Sequence, residues 1–85
     1  MKYIFHGNVQ GVGFRYFTKQ MARRFNISGS VRNKPDGTVE LILNDENNNI
    51  KEFMEAIKKG NGFMKIKNIE KYDYESNASD FKVKY

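Results

Sequence analysis

The sequence predicts an α+β fold in which one antiparallel sheet carries two helices on a single face. Three observations predict it. Apolar residues switch from strand-like to helical spacing and back again, twice within 85 residues. Between the two helical stretches lie two strand-like runs joined by Lys34-Pro35-Asp36-Gly37, a turn sequence. The resulting order is β-α-β-β-α-β with a short terminal strand, whose two right-handed crossovers close a four-stranded antiparallel sheet.

Each element has its own reason. Lys2–Val9 packs Tyr3, Ile4, Phe5 and Val9 into a short span, as a buried central strand does. Gln10-Gly11-Val12-Gly13 then breaks the pattern as a loop. From Phe14 the period becomes helical, with Phe14, Phe17, Met21, Ala22 and Phe25 on one stripe and Arg15, Lys19, Gln20, Arg23 and Arg24 on the others. Ile27–Asn33 and Thr38–Asn44 read as a hairpin, since proline presets φ, Asp36 bonds locally and Gly37 accepts positive φ. In the second of these strands Val39, Leu41 and Leu43 alternate with polar residues, and Ile42 breaks the alternation. A second helix is expected over about Asn48–Lys59, with Ile50, Phe53, Met54 and Ile57 on one face, asparagines to cap it and Gly60 to stop it. Met64–Tyr74 and Asp80–Lys84 complete the sheet, the latter with Phe81 and Val83 on one face. The architecture expected is the ferredoxin-like sandwich, filled by one domain spanning residues 1–85.

Composition narrows the chemistry. There is no cysteine and a single histidine, His6, so thiolate nucleophiles, cysteine metal sites and histidine clusters are excluded. Reactions must run on Arg, Lys, Asn, Gln, carboxylates, hydroxyls and backbone amides. The net charge of +5 favours an anionic ligand, whether nucleic acid or a small phosphate. No apolar run approaches the roughly 18–20 residues needed to cross a bilayer, and no signal-peptide pattern opens the chain. The expected compartment is the cytoplasm.

Val9-Gln10-Gly11-Val12-Gly13-Phe14-Arg15 passes directly from strand to helix. A helix leaves its first N–H groups without intrahelical partners, and two glycines let the preceding loop curl further amides into the same space. Such a concave row of donors at the positive end of a helix binds anions, and Arg15 adds a planar two-pronged donor. A lone Gly-x-Gly is usually a tight turn, and a lone arginine at a helix start is usually solvated. Their coincidence at one junction points to a single compact phosphate-like group. The Gly-Lys-Ser/Thr of a P-loop and the longer dinucleotide fingerprint are both missing.

Gly7-Asn8-Val9-Gln10-Gly11-Val12-Gly13-Phe14-Arg15 resembles the acylphosphatase signature G-x-V-Q-G-V-G-F-R at every fixed position. Gly29-Ser30-Val31-Arg32-Asn33-Lys34-Pro35-Asp36-Gly37-Thr38-Val39-Glu40 resembles that family's second motif, and the likeness extends over the whole chain. The resemblance implies a hydrolase that cleaves acyl phosphates to carboxylate and inorganic phosphate, with no metal and no cofactor. It implies that Arg15 binds the phosphoryl group and that backbone amides of Gln10, Gly11, Val12, Gly13, Phe14 and Arg15 form a cradle. It further implies that Asn33 orients the attacking water; pattern alone would make Asn33 a hairpin turn residue. The expected partners are a small acyl phosphate and inorganic phosphate or sulfate, with no nucleic acid or membrane, on a monomer. Two positions depart from the family pattern. Ser30 stands where an aromatic is common, and Asn61 stands where a proline usually follows the glycine. Both are expected to lie away from the cradle.

The remaining polar residues read more simply. His6 is expected to be a strand-face residue, Arg23 and Arg24 a solvated helix face, and Lys65 and Lys67 outward strand positions. Asp36 and Glu40 do not form an acid–base pair by pattern. An RNA-recognition module shares this element order, but it displays aromatics on its third strand and Thr38–Asn44 has none. A non-catalytic anion-binding domain is the other alternative, and the presence of both Arg15 and Asn33 argues against it.

Overall fold

A computed structural model of the chain describes residues 1–44 and 49–84. Its elements are β1 (Lys2–Asn8), α1 (Phe14–Phe25), β2 (Gly29–Asn33), β3 (Val39–Leu43), α2 (Ile50–Lys59), β4 (Lys65–Tyr72) and β5 (Phe81–Lys84). They form one five-stranded sheet in the order β4-β1-β3-β2-β5. The first four strands pair antiparallel, and β5 joins β2 in parallel with Val31 opposite Val83. The ferredoxin-like plan holds, with the short terminal strand laid on its β2 edge.

Alternation decides which side of the sheet is covered. Tyr3 and Phe5 of β1, Val31 of β2 and Val39, Leu41 and Leu43 of β3 are buried on one face with Phe14 and Ala22 of α1 and Phe53, Met54 and Ile57 of α2. Both helices therefore sit on that face. Each buried aromatic or aliphatic side chain contributes about 1.5–3 kcal/mol through removal of its surface from water. The buried row of α1 is Phe14, Thr18 and Ala22, while Phe17, Met21 and Phe25 pack half-buried at its flanks. Thr18 sits where the i, i+4, i+8 spacing leads straight into the sheet, so a hydroxyl residue lies within the apolar stripe.

Element ends differ from expectation by a residue or two. Ile27 is buried in the core but precedes the β2 ladder, which begins at Gly29. The predicted start of the second helix at Asn48 lies outside the described residues, and α2 begins at Ile50 with Asn49 as its N-cap residue. The Asn49 side chain makes no capping bond there; its amide donates to the Phe25 carbonyl at 3.1 Å and ties α2 to the end of α1. The fourth strand stops at Tyr72 rather than Tyr74.

The β2–β3 hairpin is closed by its turn residues. Asp36 accepts hydrogen bonds from the Thr38 amide at 3.0 Å and the Thr38 hydroxyl at 2.6 Å, while Gly37 takes φ 90° and donates to the Lys34 carbonyl. These bonds, the hydroxyl's first, favour the carboxylate and hold the Asp36 pKa below its ordinary 3.8. A depressed folded pKa means that the stabilisation is present above 3.8 and is lost as pH falls through the lower folded value. Asp36→Asn should therefore lower the thermal midpoint slightly near neutrality and leave it almost unchanged near pH 2, so that the acid limb between about pH 5 and 2 is flatter than in the wild-type chain.

Candidate active site

The junction between β1 and α1 is built from both ends. Val9 is buried directly after β1, and the Phe14 ring meets the Phe5 ring edge-on at 5.0 Å between centroids. Only Gln10–Gly13 remain to connect a buried strand to a buried helix, and Gly11 (φ 73°) and Gly13 (φ 78°) make the reversal in left-handed conformations. Gly13 is the N-cap residue of α1, and its carbonyl accepts the Phe17 amide at 2.9 Å. The amides that precede this first helical bond belong to the open end of the helix.

Two other segments come to this loop. The Gln10 side-chain amide donates to the Lys34 and Thr38 carbonyls, both at 2.8 Å, so the loop is stitched to the hairpin that carries Asn33. The Arg15 Nη1 donates to the Lys84 carbonyl of β5 at 3.1 Å, which sets the plane of the guanidinium. Together they enclose a cleft of about 240 Å³ lined by Gly11, Gly13, Phe14, Arg15 and Asn33, with Val9, Val83, Tyr16 and Lys19. The Asn33 Oδ1 is buried and has no hydrogen-bond partner among the described residues. The Thr18 hydroxyl is also buried without a partner, one turn of helix beyond Arg15.

Of the residues expected at the cradle, Gly11, Gly13, Phe14 and Arg15 line the cleft and lie beside Asn33. Gln10 and Val12 are outside that lining: the Gln10 side chain reaches the hairpin, and Val12 packs partly against the core. Ser30 lies in β2 opposite Ile42, away from the cleft. Asn61 corrects an expectation. It touches the cradle loop, donating from Nδ2 to the Val12 carbonyl at 2.9 Å, and its Oδ1 accepts the Phe63 amide at 3.0 Å. No local pattern marks it, because its partner lies 49 positions earlier in the chain.

The other polar groups take structural places. His6 pairs with Glu70 across β1 and β4, and the Tyr72 hydroxyl donates to the same carboxylate. Tyr72 first, then His6, hold the Glu70 pKa below its usual range, and the Glu70 carboxylate pushes the Tyr72 phenol upward. Glu40 binds Arg32 at 3.2 Å, not Asp36. Arg23 and Arg24 are exposed on α1, and Lys65 and Lys67 are exposed on β4. Among the described residues no three His, Cys, Asp or Glu side chains gather as a metal site would require.

The Acylphosphatase family model matches residues 1–83. An acylphosphatase from Picrophilus torridus is 40% identical over 98% of this chain and 99% of its own length. One from Clostridium acetobutylicum is 41% identical over 93% of this chain and 89% of its own. The crystal structure of acylphosphatase from Bacillus subtilis superposes with a TM-score of 0.86 at 36% identity, covering 99% of this chain and 96% of that one. The family model over residues 1–83 and relatives about 40% identical over nearly the whole chain place this chain in the acylphosphatase family.

Proposed function

We propose that the chain, an acid-anhydride hydrolase by its family, cleaves acyl phosphates with Arg15 and the Gln10–Arg15 amides on the phosphoryl group and Asn33 on the water. Support comes from one observation above the others: Gly11, Gly13, Arg15 and Asn33, from two separate motifs, line the same cleft. Inorganic phosphate is the product ligand of the same cradle, and the chain acts as a monomer.

An acyl phosphate is a mixed anhydride. Water attacks phosphorus in line with the bridging oxygen, the P–O bond to the acyl group breaks, and the electron pair leaves with a carboxylate. A carboxylate is a weak base and needs no general acid to depart. What remains is to align the water and stabilise charge on the three equatorial oxygens. Fixed amides at a helix start and a guanidinium do the second, each charge-assisted bond contributing about 1.5–3 kcal/mol. Asn33, which lines the cleft, does the first through its side-chain amide. An amide is a poor base, so the water's proton passes to a phosphoryl oxygen, giving dihydrogen or hydrogen phosphate according to pH.

Benzoyl phosphate hydrolysis tests this reading, with inorganic phosphate as competitive inhibitor. Arg15→Lys should lower kcat/KM by about ten- to a hundredfold and weaken phosphate inhibition, because an ammonium cannot bridge two oxygens in one plane. Asn33→Ala should lower kcat by about a hundredfold while the phosphate inhibition constant stays near its wild-type value. An Asn33→Ala chain that loses phosphate affinity to the same degree would make Asn33 a loop support. A wild-type chain that binds phosphate and hydrolyses no acyl phosphate would be an anion-binding domain.

A further inference from the structure

We infer that Asn61 is a positioning residue of the phosphate loop, acting through the Val12–Gly13 peptide; the inference rests on the function proposed above. The peptide group is planar and trans, so the Val12 carbonyl and the Gly13 N–H point in opposite directions from one rigid unit. Asn61 Nδ2 holds the Val12 carbonyl at 2.9 Å. Holding that oxygen fixes where the Gly13 N–H is directed, and Gly13 lines the cleft. The amide of the cradle is thereby aimed by a side chain outside the cleft lining.

Such a restraint is needed here more than in most loops. Gly11 and Gly13 both occupy left-handed conformations, and glycine crosses between positive and negative φ at little cost. The peptide between Val12 and Gly13 is therefore prone to flip, which would replace a donor with a carbonyl oxygen facing an anion. On its far side Gly13 is already fixed, since its carbonyl accepts the first helical bond from Phe17. Asn61 fixes the near side. Its own orientation is settled by chemistry: Oδ1 accepts the Phe63 amide at 3.0 Å, so the NH₂ must face Val12. The reversed amide would set donor against donor and oxygen against oxygen. Gly60, at φ 71°, ends α2 immediately before and delivers Asn61 to the loop. The Asn61 nitrogen lies 3.4 Å from where a Gly13 Cβ would be.

The test compares the wild-type chain with Asn61→Ser and Asn61→Ala. Serine keeps an oxygen for the Phe63 amide but is too short to reach Val12; alanine loses both bonds. Benzoyl phosphate hydrolysis gives kcat, KM and the phosphate inhibition constant, and the ¹⁵N-labelled Gly13 amide reports the peptide directly. Both variants should raise the phosphate inhibition constant by about three- to tenfold, the worth of one hydrogen bond, and shift or broaden the Gly13 amide signal. A role confined to the turn after α2 would instead lower the thermal midpoint of the alanine variant and leave phosphate inhibition of the serine variant within about twofold of wild type. That result, or a serine variant that does not fold, overturns the inference. A wild-type chain without acyl phosphate hydrolysis overturns the function itself, and the inference with it.

Discussion

The contact between Phe5 and Phe14 is the constraint from which the site follows. One ring belongs to a central strand and the other to the first residue of a helix, and both are buried in the same core. With those ends pinned, the chain must reverse within Gln10–Gly13, and it can do so only through left-handed backbone at two glycines. A turn that tight brings main-chain donors to the open end of α1. The core thus sets the shape of the loop, and burial of two aromatics stabilises a row of polar groups that would not hold that curvature alone.

Three further tethers complete the enclosure, and each brings in a distant segment. Gln10 draws the β2–β3 hairpin against the loop, Lys84 at the end of β5 orients the Arg15 guanidinium, and Asn61 after α2 holds the Val12 carbonyl. None of these partners is acidic or basic in its contact; all four bonds end on backbone carbonyls. Gln10 and Asn61 are neutral and bring no charge to the loop, and the Arg15 guanidinium keeps its charge because a carbonyl does not neutralise it. The positive end of the helix, the Arg15 guanidinium and the Lys19 side chain are the positive groups at the cleft.

The fold and the loop were legible because both depend on short-range pattern. Helical spacing in Phe14–Phe25, alternation in Val39–Leu43 and the Pro35-Asp36-Gly37 turn each announce their element within a few residues. The two motifs that carry Arg15 and Asn33 are contiguous stretches, so a resemblance could be read from them. That Asn33 lies at the same cleft as Gly11 and Gly13 could not be read, since it depends on the Gln10 bonds to the hairpin. Asn61 was misplaced for the same reason: a single side chain meeting one carbonyl 49 positions away leaves no periodic trace. Thr18 was missed for a different one. A hydroxyl residue reads as surface, yet geometry carries its position into the core between Phe14 and Ala22.

The placement of β5 outside β2 also decides where the sheet ends. Its two margins are β4 and β5, and both present exposed lysines: Lys65, Lys67 and Lys71 on one, Lys82 and Lys84 on the other. Unpaired strand margins are templates on which a second chain can add, and lysine along them is a common deterrent, because an incoming margin of the same kind meets like charge. The exposed lysines thus stand on both of the margins where another strand would have to add.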